Sequence, residues 1–242
     1  MIKVVKFIVS NGDIKQMILA GILLMVIIFG PNFWTRRILR KYNYCRNDIP
    51  GTGGDFANHL LKQLKLKNYK VKAGNGHNID HYDPKTQTIT LSKNYYESNS
   101  LTAIVIAAHE IGHALQDANQ SKLLHIRTKL VKASIQFEKV ASLLLVSAPL
   151  LAILFKIPLL GVGALVLVVI IMGLPILLHL ITLPLEYDAS FNKAMPILKA
   201  GYINGEDIRF SKKILTACAL TYFSSSLASL LNFYRWIKIW QR

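Results

Sequence analysis

Hydrophobic and polar positions divide the chain into apolar runs of membrane-spanning length and shorter segments with amphipathic or alternating patterns. Ile14 to Phe33 is an apolar stretch interrupted by Lys15 and Gln16 near its start. No small-x-small cleavage site closes it. Instead Gly30-Pro31-Asn32-Phe33-Trp34 leads into Arg36, Arg37, Arg40 and Lys41, so residues 1–34 read as an uncleaved transmembrane anchor whose basic exit lies in the cytoplasm. After the turn Pro50-Gly51-Thr52-Gly53-Gly54-Asp55, the positions Phe56, Leu60, Leu61 and Leu64 predict a short helix from Phe56 to Leu66. The glycines lack the Lys-Ser/Thr ending and the preceding buried strand of a phosphate cradle, and helix capping explains them.

Next, Tyr69 to Ala73 precedes the turn Gly74-Asn75-Gly76. Alternation from Thr86 to Leu91 after the Asp83-Pro84 turn predicts two strands joined as a hairpin. Such a strand, just upstream of the next helix, can present its edge to an extended peptide. Leu101 to Ala108 is apolar enough to bury a helix, whereas Ser121 to Glu138 is basic with apolar residues at helical spacing and reads as a membrane-surface helix. Val140 to Phe155 and Ile157 to Leu183 then predict a transmembrane helical hairpin, whose turn near Lys156 and Pro158 is poor in positive charge and belongs on the non-cytoplasmic side. Residues 191–213 form a basic connector. Ile214 to Leu231 is apolar but diluted by Ser and Thr, so it spans as a fourth helix or lies at the surface, and Arg235, Lys238 and Arg242 pull against spanning.

Composition agrees with a membrane protein: 52% of the 242 residues are hydrophobic and the mean hydropathy is +0.34. The 29 Lys plus Arg against 13 Asp plus Glu give a net charge of +16. Basic cytoplasmic loops produce that balance, and no nucleic-acid motif stands beside it. Cys45 and Cys218 are far apart and indicate neither a disulfide framework nor a cysteine metal knuckle.

The chemistry concentrates in Ala107-Ala108-His109-Glu110-Ile111-Gly112-His113-Ala114-Leu115-Gln116. Helical geometry places residues four apart on one face, so His109 and His113 can reach one metal ion together. Zinc suits two neutral imidazoles and leaves a position for water, and Glu110 projects beside the metal where it can accept a proton. Nothing like His-x-x-Gly-x-x-His follows, so a carboxylate on another helix is the expected third ligand. Glu186, returned to the same membrane face by the hairpin, is the candidate. Asp188 faces away and can act only from outside the ligand set, while Ser190, one turn beyond Glu186, is placed to support it. His179 shares that face but sits within an apolar run and reads as non-catalytic. His81 is open between a hydrogen-bonding role and a metal ligand. Tyr82, His81 and Tyr187 are the candidates for stabilising an oxyanion.

Several segments together resemble the YugP-type membrane zinc metallopeptidases: Gly51-Thr52-Gly53, Asp80-His81-Tyr82-Asp83-Pro84, Leu91-Ser92, the histidine segment, Thr182-Leu183-Pro184-Leu185-Glu186-Tyr187-Asp188-Ala189-Ser190, and Ala219-Leu220-Thr221-Tyr222. The resemblance runs from about residue 40 to residue 235. It implies His109 and His113 as zinc ligands, Glu110 as the catalytic glutamate and Glu186 as the third ligand. The sequence departs after that glutamate: the family usually has an amide near Asp188 and a basic pair after the serine, where this chain has Phe191 and Asn192.

The expected fold is mainly α, with integral membrane helices and a small α+β zincin-like catalytic domain containing a β-hairpin. Its parts are an anchor at 1–34, the catalytic region at 35–139, the hairpin at 140–183, the third-ligand helix and connector at 184–213, and a membrane or membrane-surface helix at 214–242. The expected function is a multi-pass cell-membrane metallopeptidase holding one zinc ion per chain, with its site on the cytoplasmic side and Glu110 as general base. Its partners would be the lipid bilayer and a peptide or protein substrate, membrane-associated or not, and no nucleic acid. The rival is a non-catalytic membrane scaffold or chaperone-like adaptor that keeps a structural zinc site; retention of Glu110 argues against it.

Overall fold

A helix that is apolar on every side must be surrounded, and the fold is built around one. In the computed structural model, which describes residues 11–74 and 80–231, the histidine-bearing segment is a single helix, Leu101–Ala118, almost wholly buried. Ser100 begins it: its hydroxyl oxygen accepts from the Ala103 N–H at 3.2 Å while its own proton goes to Asn43 Oδ1 at 2.7 Å.

In chain order the elements are α1 (Asn11–Lys41), α2 (Gly53–Gln63), β1 (Lys70–Gly74), β2 (His81–Asp83), β3 (Thr88–Ser92), α3 (Lys93–Tyr96) and the central α4 (Leu101–Ala118). There follow α5 (Lys122–Leu154), α6 (Pro158–Tyr187), a π-helical turn (Asp188–Ala194), α7 (Met195–Lys199) and α8 (Gly205–Leu231). Residues Asn75 and Gly76 of the expected turn, Ile79, and the terminal Arg235, Lys238 and Arg242 lie outside the described residues.

Helix α2 starts earlier than its apolar pattern, because Thr52 and Asp55 form a reciprocal capping box. The glycines there are not the cap. A Cβ on Gly53 would stand 2.4 Å from the Tyr95 carbonyl oxygen, and one on Gly54 2.8 Å from the Tyr96 ring, so both permit close packing of α2 on the segment before α4. Phe56, Leu60 and Leu61 then face α4 across a core shared with Ile89, Leu91, Leu198, Ile214 and Leu215.

The expected hairpin forms: β2 runs antiparallel to β3 with Tyr82 opposite Ile89. A further strand completes the sheet, since β1 pairs in parallel with β3, Lys70 opposite Thr88, giving the order β1-β3-β2. Thr88–Ser92 is therefore the middle strand, buried at every position, and cannot offer an edge to an extended peptide as its alternation led us to expect. The free edges belong to β1 and β2.

The surface helix and first hairpin run expected on either side of residue 139 are one continuous helix, α5, since no Pro or Gly interrupts residues 122–148. α5 and α6 pack as an antiparallel pair around Ala141, Val168 and Ile171. Their outward side chains include the exposed Leu143, Leu150, Ile153, Leu159 and Ile170. Helix α1 also passes its expected end at Trp34 and continues to Lys41. It is tied to α8 where the buried Thr35 hydroxyl donates to the Ala217 carbonyl at 2.7 Å. Arg46, bridging Asp48 and Asp207 (the latter at 2.7 Å), secures the start of α8. Among the described residues, one segment is long and apolar enough to cross a membrane by length and composition, Ile18–Lys41 in α1.

Candidate metal centre

His109 and His113 lie on the same face of α4, their rings 4.7 Å apart between centroids. The Nε2 atom of each meets the same oxygen of Glu186, Oε2, at 3.1 Å and 3.2 Å. Glu186 stands at the end of α6, so the α5–α6 hairpin does return the chain to α4. Its approach is set by Gly112, whose missing side chain leaves room for the backbone of Ala189 in the π-helical turn.

Each imidazole is held from behind. Ser190 Oγ lies 3.0 Å from His109 Nδ1, and Gln116 Oε1 lies 3.0 Å from His113 Nδ1. The Gln116 amide accepts there with its oxygen, since its nitrogen donates to the Leu185 carbonyl at 2.8 Å and to Asp188 Oδ2 at 2.9 Å. With their Nδ1 atoms so engaged, both rings are oriented with Nε2 toward Glu186. The other Glu186 oxygen, Oε1, is buried and finds no hydrogen-bond partner among the described residues. Two imidazole nitrogens, an unsatisfied buried carboxylate oxygen and ligand atoms all within 4.8 Å of one another are what a divalent cation would satisfy.

The charges fit as well. Burial alone would raise the Glu186 carboxyl, but the His113 and His109 imidazoles outweigh it and hold the group below the usual carboxylate range. Burial would likewise lower His113, yet the Glu186 carboxylate pushes it up to about 9. Glu110, buried beside them, is driven upward by burial against the opposing pull of both histidines. His109 and Glu110 form one wall of a cleft of about 390 Å³, whose other walls include Thr35 and Arg36 of α1, Asp80 before β2, and Cys218 of α8.

Comparison with known proteins identifies the family. The family model described as "Putative neutral zinc metallopeptidase" matches residues 17–241. The chain belongs to this family. It is 31% identical over 222 residues, 90% of its own length and 95% of the relative's, to the "Putative membrane protease YugP" of Bacillus subtilis (strain 168). No solved structure matches it.

Within this zinc metallopeptidase family member, the remaining sequence candidates separate. Asp188 does sit outside the ligand cluster, holding Gln116 and accepting from Asn192 at 2.9 Å. Ser190 reaches His109 rather than supporting Glu186, because the wider π-helical turn that follows Tyr187 changes the phase of the helix. Tyr82 is turned away: its hydroxyl donates to Asp117 Oδ2 at 2.7 Å, as does that of Tyr69 at 3.0 Å, so it braces the C-terminal end of α4. His81 is exposed on the β2 edge opposite Thr90, and Tyr187 is exposed and rests against Phe191. None of these three lines the cleft.

Two residues escaped the sequence reading. Gln116, three positions after His113, lies on the same helical face and is recoverable from that spacing. Asp80 lines the cleft while its carboxylate accepts from the Ser92 N–H at 2.7 Å, a long-range relationship with no local signal.

Proposed function

We propose that this protein is a multi-pass membrane zinc metallopeptidase that hydrolyses peptide bonds at the His109–His113–Glu186 cluster, with Glu110 as general base and one zinc ion per chain. The observation that carries the reading is the convergence of both Nε2 atoms on one Glu186 oxygen beside a buried, otherwise unused glutamate, in a chain of this family. Zinc held by His109, His113 and Glu186 would supply a Lewis acid that acidifies water and polarises a scissile carbonyl.

The chain's own residues do the rest. Gln116 and Ser190 hold the two rings by their Nδ1 atoms, and Asp188 holds Gln116, so both Nε2 atoms are kept turned toward Glu186. Burial pushes the Glu110 carboxyl upward against the pull of both histidines, and a carboxylate in this position is a chemically suitable general base. Glu110 would take the proton of the attacking water and give it to the leaving amine, a role supported by its place in the wall of the cleft. A non-catalytic scaffold would need the ligands but not this base.

Multi-pass insertion is supported by the apolar α1 segment and by the exposed apolar side chains of α5 and α6. The basic cluster after α1 favours a cytoplasmic site, with the turn near Lys156 outside. Peptide-library digestion by the purified, metal-analysed protein tests the activity: cleavage is expected from wild type, and His109→Ala or His113→Ala should lose both zinc and cleavage. For topology, cysteines introduced at positions 85 and 157 of a chain with Cys45→Ser and Cys218→Ser should label from opposite sides with an impermeant reagent, and labelling from one side would refute the arrangement.

A further inference from the structure

The position of the cleft relative to the α1 span bears on what the site cuts. Asn32, Thr35, Arg36 and Leu39 line it from α1 at the spacing of one helical face, a stripe about 10 Å long. The stripe straddles the boundary between membrane and water chemistry. The exposed Val26 and Phe29 stand just before it and the exposed Phe33 at its start, and within and after it come Arg36, Arg37, Arg40 and Lys41. Trp34, 36% exposed, marks the same level, where an indole prefers the headgroup region.

A second stripe faces the first. Ile214, Cys218 and Thr221 line the cleft from α8, again at helical spacing, and the Thr35 to Ala217 hydrogen bond ties the two helices together. The metal-facing wall of His109 and Glu110 completes the groove. Its reacting groups therefore lie beside the headgroup end of α1 and not at the far end of a domain projecting into water. A volume of about 390 Å³ admits a few extended residues, so only unfolded polypeptide reaches Glu110.

We propose, resting on the peptidase reading above, that the substrate is the extended segment directly adjoining the end of a transmembrane helix in another membrane protein, presented to the groove at headgroup level alongside α1. A soluble peptide, or a site far from its own anchor, would have to descend to the interface and lose more freedom in doing so. A segment already fixed at that depth arrives at high effective concentration and in place.

The test uses the full-length, zinc-loaded protein in phosphatidylcholine–phosphatidylglycerol vesicles and one fluorogenic cleavage sequence in three settings. It is offered as a soluble peptide, fused directly to an apolar helix of about 20 residues, and fused to the same helix through a Gly/Ser spacer of about 25 residues, whose reach is roughly 25–30 Å. The spacer substrate shares the membrane concentration of the direct fusion but not its depth. The direct fusion should be cut at least tenfold faster than either of the others. Equal or faster cutting of the spacer substrate would overturn the proposal while leaving the peptidase reading intact.

Photocrosslinking in the Glu110→Gln background with Cys45→Ser and Cys218→Ser, from a benzophenone attached through Asn32→Cys, supplies a readout without turnover. Capture of the helix-proximal residues of the direct fusion, and not of the spacer substrate, is the expected result, and equal capture of both would overturn the proposal. Selective capture with no cleavage of any substrate by the zinc-loaded wild type would uphold this docking and reject the peptidase reading.

Discussion

Gly112 and Ala189 meet backbone to backbone: a Cβ on Gly112 would stand 2.5 Å from the Ala189 carbonyl oxygen. The contact sets the distance between the histidine helix and the π-helical turn that directly follows Glu186 and Tyr187. Gly112→Ala must push α4 and the π-helical turn apart, at a cost of about 1–3 kcal/mol typical of an overfilled core. The expected outcome is a lower thermal midpoint together with weaker zinc binding in a chelator competition. Wild-type values for both would show that the contact does not position the ligands.

Glu186→Gln should weaken zinc binding by at least about tenfold, and more than Asp188→Asn, because an amide of equal shape cannot neutralise the ion and an outer partner only orients a ligand. Gln116→Ala belongs with the second group, since it releases His113 and Asp188 together. Equal affinity in wild type and Glu186→Gln would remove Glu186 from the ligand set.

How much of this site was legible follows from how local each relationship is. The four-residue spacing of His109 and His113 and the β2–β3 hairpin are short-range patterns, and both are present as read. The parallel pairing of β1 with β3 leaves no local mark, so β3 was read as an edge strand when it is the middle one. Glu186 was reachable because a buried carboxylate beside an apolar run needs a partner. Ser190 was assigned the wrong one because the sequence does not announce a π-helical turn. The break expected between Glu138 and Val140 failed for a simpler reason: a change from polar to apolar composition changes a helix's surroundings but does not end it.

The pH dependence of zinc binding should carry the imprint of His113. In the metal-free protein Glu186 raises this histidine from 6.5 to about 9. Its stabilising contribution is therefore complete below about 6.5 and is lost as the pH rises through about 9. Zinc must displace the same proton, so its apparent affinity should climb by up to about tenfold per pH unit below pH 9 and flatten above it. Chelator competition across that range measures the slope, and a flat profile between about pH 7 and about pH 9 would exclude the protonated His113.

Tyr82→Phe separates bracing from catalysis. Losing the hydrogen bond to Asp117 should cost about 1.5–3 kcal/mol of stability, as for a bond to a charged group. Peptide turnover by the folded variant should stay within about twofold, not fall the roughly 100- to 1,000-fold that removal of an oxyanion donor brings. A loss of the larger size in a stable variant would return Tyr82 to the reaction.

The central claim is that ligands and base are different residues, His109, His113 and Glu186 holding the ion while Glu110 moves the proton. The most direct measurement is peptide turnover by Glu110→Gln at wild-type zinc content. The account predicts that zinc stays and turnover falls by at least about 100-fold, the lower end of what general acid–base catalysis supplies. Full turnover by the zinc-loaded variant would contradict it.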